Sequence, residues 1–408
     1  MKAEILAVGT EILLGQILNT NAQYLAKQLA ELGITLHYQT VVGDNPQRLT
    51  KALDTAFSRA ELVIMTGGLG PTQDDLTKET AAAYFNAPMV LHEDILAEIK
   101  AYFRRMDRPF TDNNIKQAEF PEGSLIIPNH NGTAPGCIME KDEKIAVVLP
   151  GPPRENIPMF EDTVKAYLRE KSGIQIFSRT VHIFGIGEAT LEQMLLDLTE
   201  STDPTVATYA KDGEVEVRVS SAAQTEKQAQ EKIEPVLDII RARAGDAIYG
   251  YDDTSVAKTV MEALKTRGWK LATAESCTGG MIASALVDIS GSSEVFEAGF
   301  VTYANRAKMN MIGVKPQTLE QFGAVSTQTA QEMAEGARKM ADVDIAVSVT
   351  GVAGPLGGTP EKPVGLVYIA VATKEKTVCR EFHFPGNRLK IRTLTMKNAL
   401  KMVLDQVK

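Results

Sequence analysis

The chain has 408 residues, of which 44% are hydrophobic and 23% charged, and its formal net charge at pH 7 is -9. At roughly 150 residues per domain this length predicts two to four domains, each apolar enough to bury a core. The acidic balance excludes a broad nucleic-acid-binding surface, which needs a positive field; three scattered cysteines exclude a disulfide framework; and no apolar run is long enough to span a bilayer. The expected setting is cytoplasmic, with neither nucleic acid nor membrane as partner.

Residues 1–171 alternate strand and helix signals. Ala3 to Val8 reads as a strand, and the opening Met1 to Ile17 carries Glu4 and Glu11 rather than the basic start and cleavage site of a signal peptide. Asn19 is placed to cap a helix bearing Tyr24, Leu25, Leu29 and Leu32 that stops at Gly33. Ile34 to Val42 is again strand-like, Pro46 starts a helix, and Leu62 to Met65 is a buried strand that empties into Gly67, Gly68 and Gly70. This βαβαβ order predicts a mostly parallel, doubly wound sheet. Glycines between a strand and a helix let phosphate meet backbone amides. Asp74 or Asp75 can cap that helix; alternatively the carboxylates of Glu11, Asp44, Asp74 and Asp75 can gather a divalent cation over a pyrophosphate.

Residues 172–251 change pattern to βαββα: strand Thr180 to Phe184, helix Leu191 to Leu198, a strictly alternating strand Glu214 to Val219 after the Asp212-Gly213 turn, and a polar-faced helix Gln224 to Ala242. Gly185-Ile186-Gly187-Glu188 could form an RNA-binding loop, but the acidic residues beside it favour a spacer or dimerisation role. Gly250-Tyr251-Asp252-Asp253 reads as a linker.

The third segment spans residues 254–408. Ser255 and Asp253 can cap a first helix, Val256 to Arg267. Trp269 to Ala274 reads as a buried strand and Met281 to Ile289 as a helix, so Glu275-Ser276-Cys277-Thr278-Gly279-Gly280 forms the joint between them. A hydroxyl there sits beside unpaired N–H groups at the positive end of a helix dipole; Ser276 or Thr278 either caps the helix or does chemistry. Further on, an apolar run ending at Val349 empties into a Gly/Pro loop from Thr350 and Gly351 through Gly354 to Gly365, with a second strand, Leu366 to Ala372, behind it; such loops commonly carry binding sites. From Lys374 to Lys408 nine Lys or Arg face three Asp or Glu, a local charge of +6. This stretch is either a solvated helix face or a phosphate clamp.

The motifs at Ser276 and Thr350 together resemble the C-terminal domain of the CinA family, the nicotinamide-nucleotide amidohydrolases. The resemblance continues through Gly299-Phe300-Val301-Thr302-Tyr303-Ala304-Asn305, Lys308 and Gly386-Asn387-Arg388-Leu389-Lys390-Ile391-Arg392. In the N-terminal third it includes Gly9-Thr10-Glu11-Ile12-Leu13-Leu14-Gly15-Gln16, Asn19-Thr20-Asn21 and the run from Thr66 to Asp75, so it spans nearly the whole chain. It implies an α/β protein in three parts: a doubly wound molybdopterin-binding-like (MoaB/Mog-like) domain, a small KH-like α+β domain, and an α/β amidohydrolase-like CinA domain.

For the third part the resemblance implies hydrolysis of nicotinamide mononucleotide to nicotinate mononucleotide and ammonia without a cofactor. Ser276 is then the nucleophile, Lys308 the basic residue and Tyr303 its hydroxyl partner. No histidine falls in these motifs, so a Ser-Lys arrangement is favoured over Ser-His. Thr278, Gly279, Gly280, Thr350, Gly351 and Gly354 would line the substrate, amides near Thr278 and Gly279 would form the oxyanion hole, and Arg388 and Arg392 would clamp the 5′-phosphate. Cys277 is the rival nucleophile, although a cysteine at this turn more often faces the core. For the first part the resemblance implies cleavage of ADP-ribose to AMP and ribose 5-phosphate. Glu11, Asn21, Asp44, Gly67, Gly68, Gly70, Thr72, Asp74 and Asp75 would form the nucleotide site, with a divalent cation on Asp74 and Asp75. Leu69 and Asp74 stand where molybdenum-cofactor proteins are expected to have Thr and Arg, which weakens a pterin ligand. A homodimer acting on small nucleotides is expected. The rival readings are a molybdopterin-processing enzyme with only the first site active, and a competence-associated binding protein.

Overall fold

Alternation of side chains along its strands determines how the first sheet packs. In the computed structural model, which describes residues 1–173 and 175–408, Ile174 at the start of the expected middle segment lies outside the described residues. The chain forms two compact units, residues 1–178 with 220–233, and residues 179–219 with 234–408.

In the first unit, the strands among the described residues run in the order Thr35–Val42, Lys2–Val8, Leu62–Thr66, Lys144–Leu149, Gly136–Lys141 and Leu125–Ile127. The first four are parallel and the last two antiparallel. Ile5 and Ile64 point to one face, where Leu25, Leu29 and Phe160 cover them; Leu6 and Met65 point to the other, under Leu49 and Leu53. Both faces are therefore buried, as a doubly wound sheet requires. The helices Thr20–Glu31 and Pro46–Phe57 begin as the local signals predict, with Asn19 and Asn45 accepting from the amides of Ala22 and Arg48.

One expectation fails here. The helix after the glycine loop, Thr77–Tyr84, has Leu76 at its N-cap and no side-chain cap. The Asp75 carboxylate instead turns back on Thr72, accepting from its amide at 3.1 Å and from its hydroxyl. A short polar side chain inside a loop closes the local turn in preference to reaching the helix.

The middle sheet, most of which falls in the second unit, runs Thr205–Lys211, Glu214–Ala223, Gln175–Phe184 and Ile248–Tyr251. Gly250 and Tyr251, read as linker from the sequence, belong to its last strand, paired antiparallel with His182 and Val181. Ser255 then caps Val256–Arg267 by accepting from Lys258 N–H. The second sheet of this unit runs Phe296–Val301, Leu271–Glu275, Ile345–Gly351, Leu366–Ala372 and Thr377–His383, the first three strands parallel and the last two antiparallel. Val256–Arg267 and the C-terminal helix Arg388–Val407 cover one face through Val260, Leu264, Leu400 and Val403. Thr327–Met340 covers the other through Ala330, Met333, Ala334 and Ala337. Phe184 and Tyr249 of the middle sheet join the first of these clusters, which therefore continues from the second sheet to the middle one.

Candidate active site

Three parallel strands of the second sheet end together. Their register aligns Glu275 with Val301 and with Val349, which brings the residues just beyond those positions to one end of the sheet: Ser276, then Thr302 and Tyr303, then Thr350 and Gly351, the last two residues of their strand. The carboxyl ends of parallel strands are where open α/β sheets place their ligands.

Glu275 is fully buried, and its carboxylate accepts three amide hydrogen bonds from the start of the next helix: Gly280 at 2.9 Å, Ile282 at 3.1 Å and Ala283 at 2.8 Å. Those amides are the unpaired donors of the helix Met281–Val287, and an anion is the partner they favour. The capping role that the sequence left open for Ser276 or Thr278 is thus filled by Glu275. A charged residue at the end of a fully buried, largely apolar strand was the available signal, because a buried carboxylate needs several donors. The Ser276 hydroxyl is freed from capping.

That hydroxyl meets Lys308, whose Nζ lies 3.1 Å from Ser276 Oγ, 2.8 Å from Thr302 O and 3.3 Å from Tyr303 O. Lys308 is only 1% exposed, and burial lowers its ammonium from the usual 10.5 to about 8. Lys308 lies one turn inside the helix Asn305–Ile312, on the same buried face as Ile312. Cys277 is buried too, and burial pushes its thiol up to about 11, so it stays protonated and a poor nucleophile.

A cavity of about 270 Å³ opens over this pair. Of the residues expected at the site, Ser276, Tyr303, Lys308, Thr350, Gly351, Gly354 and Arg388 line it. Leu356, within the Gly/Pro loop that the sequence marked, also lines it, as do Ala324 and Val325, which nothing local in the sequence marked. Ala324 comes in because the buried Thr350 hydroxyl donates to its carbonyl at 2.7 Å. The Arg388 guanidinium donates to Gly354 O at 2.9 Å and approaches the exposed Tyr303 hydroxyl at 3.5 Å.

Thr278, Gly279, Gly280 and Arg392 are not among the lining residues. Arg392 does not pair with Arg388 as a clamp; it reaches over the turn and donates to Thr278 O at 2.5 Å. The expected oxyanion donors change as well. The Gly279 amide is bonded to Ser276 O at 3.2 Å and the Gly280 amide to Glu275, which leaves the Thr278 amide of the expected pair. Gly279 and Gly280 are needed for their left-handed backbone, φ 59° and 97°, which turns the chain sharply enough for Glu275 to reach the helix start.

In the first unit the expected site residues are placed separately. Gly67 and Gly68 have φ of 103° and 65°, and a Cβ on either would collide with Val8 O or the Thr77 hydroxyl, so the turn accepts glycine alone. Asn21 is buried and donates to Gly151 O at 2.6 Å, and its own carbonyl oxygen has no partner. Gly151, which sequence reasoning missed, packs beside Gly67. Asp44 is engaged by the Thr10 amide at 2.9 Å and hydroxyl at 2.8 Å, and Asp75 by Thr72. A Thr72 hydrogen bond holds Asp74 below the usual carboxylate range. Glu11 lies in the first turn of the short helix Thr10–Leu13. Among the described residues no three His, Cys, Asp or Glu side chains come together as metal ligands. Of the four carboxylates expected to gather a cation, Asp44, Asp74 and Asp75 are instead tied to Thr10 and Thr72, and as placed the four do not fit a resident divalent ion.

Among the described residues no helix is long and apolar enough to cross a membrane. Three family profiles match consecutive stretches: "Probable molybdopterin binding domain" over residues 4–170, "Damage-inducible protein CinA KH domain" over 178–250 and "CinA C-terminal domain" over 253–407. A protein of Acetivibrio thermocellus named "Putative competence-damage inducible protein" is 54% identical over 404 residues, covering 99% of this chain and 98% of its own length. A "CinA-like protein" of Kosmotoga olearia is 50% identical over 404 residues, covering 99% and 98%. Among solved structures, the competence/damage inducible protein CihA from Agrobacterium tumefaciens is 45% identical and covers 38% of this chain and 94% of its own, with a TM-score of 0.37.

Proposed function

The chain belongs to the CinA family, and from that premise we propose that its C-terminal domain hydrolyses the carboxamide of nicotinamide mononucleotide to nicotinate mononucleotide and ammonia. The observation that carries the proposal is the 3.1 Å contact between Lys308 Nζ and Ser276 Oγ at the floor of the cavity. A serine hydroxyl needs a base to become a nucleophile, and a buried amine of lowered pKa is one.

In the proposed reaction Ser276 Oγ attacks the carboxamide carbon as its proton passes to Lys308 Nζ, and a tetrahedral oxyanion forms. Of the expected donor pair, the Gly279 amide is already bonded and Thr278 lies outside the cavity lining, so neither is assigned to that oxyanion. Collapse breaks the C–N bond as Lys308 returns the proton to the leaving nitrogen, releasing ammonia and leaving an ester on Ser276. Water then adds to the ester with Lys308 again taking the proton, and the carboxylic product leaves as Oγ regains its hydrogen. Arg388 sits at the cavity wall, where a planar guanidinium can hold the 5′-phosphate. The test is ammonia release from nicotinamide mononucleotide by the purified chain, compared with Ser276→Ala.

A second reading applies to the first unit and is favoured by its glycine turn. Gly67 and Gly68, beside Gly151, turn the chain just after the parallel strand Leu62–Thr66, a position where backbone amides can meet a phosphate. We propose that this site takes the pyrophosphate of ADP-ribose. Formation of AMP and ribose 5-phosphate by the same preparation tests it, and no step is assigned to a metal.

A further inference from the structure

The Asp212-Gly213 turn has no part in the reaction, yet it is built against the helix that carries the cavity arginine. Gly213 has φ 80°, and a Cβ there would lie 2.9 Å from Leu394 Cδ2, so turn and helix are in close contact. Lys397 Nζ donates to Asp212 O at 2.9 Å and to Glu214 Oε1 at 2.7 Å, and Lys390 Nζ is 3.4 Å from Asp212 Oδ1. The other Glu214 oxygen accepts from the buried Tyr249 hydroxyl at 2.6 Å. The Lys397 and Glu214 side chains are 20% and 10% exposed, so this ion pair is screened far less than a surface one.

Positions 390, 394 and 397 recur at helical spacing on one stripe of Arg388–Val407, while 388 and 392 fall on the opposite side. The N-terminal half of this helix is thus gripped on one side by the turn and presents its arginines on the other. Arg392 has a further anchor in Thr278 O and Arg388, at the first helical position, has one in Gly354 O; the direction of the helix sets where both side chains begin.

We infer that Lys397, Asp212, Gly213 and Glu214 are positioning residues: the middle module's hairpin splints the C-terminal helix so that Arg388 stands ready for the substrate's phosphate. The inference rests on the proposed deamidase reading, and it gives the middle module a task within the chain without a ligand of its own.

The test uses the full chain with Lys397→Met and, as a charge-retaining control, Lys397→Arg. Lys397→Met is expected to raise KM for nicotinamide mononucleotide about three- to tenfold with kcat nearly unchanged, and to leave KM for nicotinamide riboside, which lacks the phosphate, where it was. Amide hydrogen exchange over residues 388–396 is expected to quicken in Lys397→Met and to be restored in Lys397→Arg. If Lys397→Met fails to fold, Glu214→Gln is carried through the same measurements. Unchanged exchange over 388–396, or a KM change shared equally by the riboside, would overturn the splint. If the wild-type chain released no ammonia at all, the deamidase reading would fall, and the exchange result alone would then decide whether the hairpin holds the helix.

Discussion

Lys308 Nζ lies 3.1 Å from Ser276 Oγ, and its two other partners are main-chain carbonyls, Thr302 at 2.8 Å and Tyr303 at 3.3 Å. Among the described residues no carboxylate pairs with this buried ammonium, and desolvation outweighs the opposing influence of the neighbouring Cys277. The amine is therefore pushed toward its basic form next to the one hydroxyl that can use it.

The pH dependence of turnover follows from that. With the Lys308 pKa lowered to about 8, kcat should rise as pH increases through that value, because only the neutral amine can take the serine proton. The folded state also binds fewer protons than the unfolded one between about 8 and 10.5, so this group adds stability as pH rises across the same window. Lys308→Met should lower kcat by orders of magnitude and remove the limb near 8. Normal turnover in the variant would remove Lys308 from the role of base.

Ser276→Ala should abolish ammonia release, a loss of several orders of magnitude being usual for a nucleophile. Cys277→Ala should be far milder, because the buried thiol is held up at about 11. Ammonia assays on the two variants decide between them, and a reversal of the two effects would make the cysteine the nucleophile.

The two arginines should separate kinetically. Arg388→Ala should chiefly raise KM for the mononucleotide and have little effect on the riboside. Arg392→Ala removes the donor to Thr278 O and should instead lower kcat, because the turn carrying Ser276 loosens. Equal KM effects from both would restore the two-arginine clamp that the sequence suggested.

Glu275→Gln tests the cap. Both carboxylate oxygens accept amide hydrogens, so an amide side chain turns an NH₂ toward at least one N–H donor and should cost about 1–3 kcal/mol of stability. Thermal unfolding reads that loss, and kcat should fall with KM little changed because Ser276 follows the capped turn. A variant with wild-type melting and turnover would show that the three amides need no anion.

Local signals in the chain determined most of the fold. The strands Lys2–Val8, Leu62–Thr66 and Leu271–Glu275, the caps Asn19 and Ser255 and the glycine joint after Ser276 are all legible within a few residues, because periodicity, capping and backbone conformation act at that range. Tertiary structure decided which groups meet. Ser276 and Lys308 are 32 residues apart and come together only because parallel strands run to the same end of the sheet. Glu275 rather than Ser276 caps the helix because it alone is buried beside three free amides. Arg392 turns to Thr278 and not to the cavity because the helix carrying it crosses the Ser276 turn. Asp44 and Asp75, two of the carboxylates that the sequence offered as one cation site, go separately to Thr10 and Thr72. Sequence spacing lists the charges available, but their partners are set by distance and burial, which exist only once the sheet has formed.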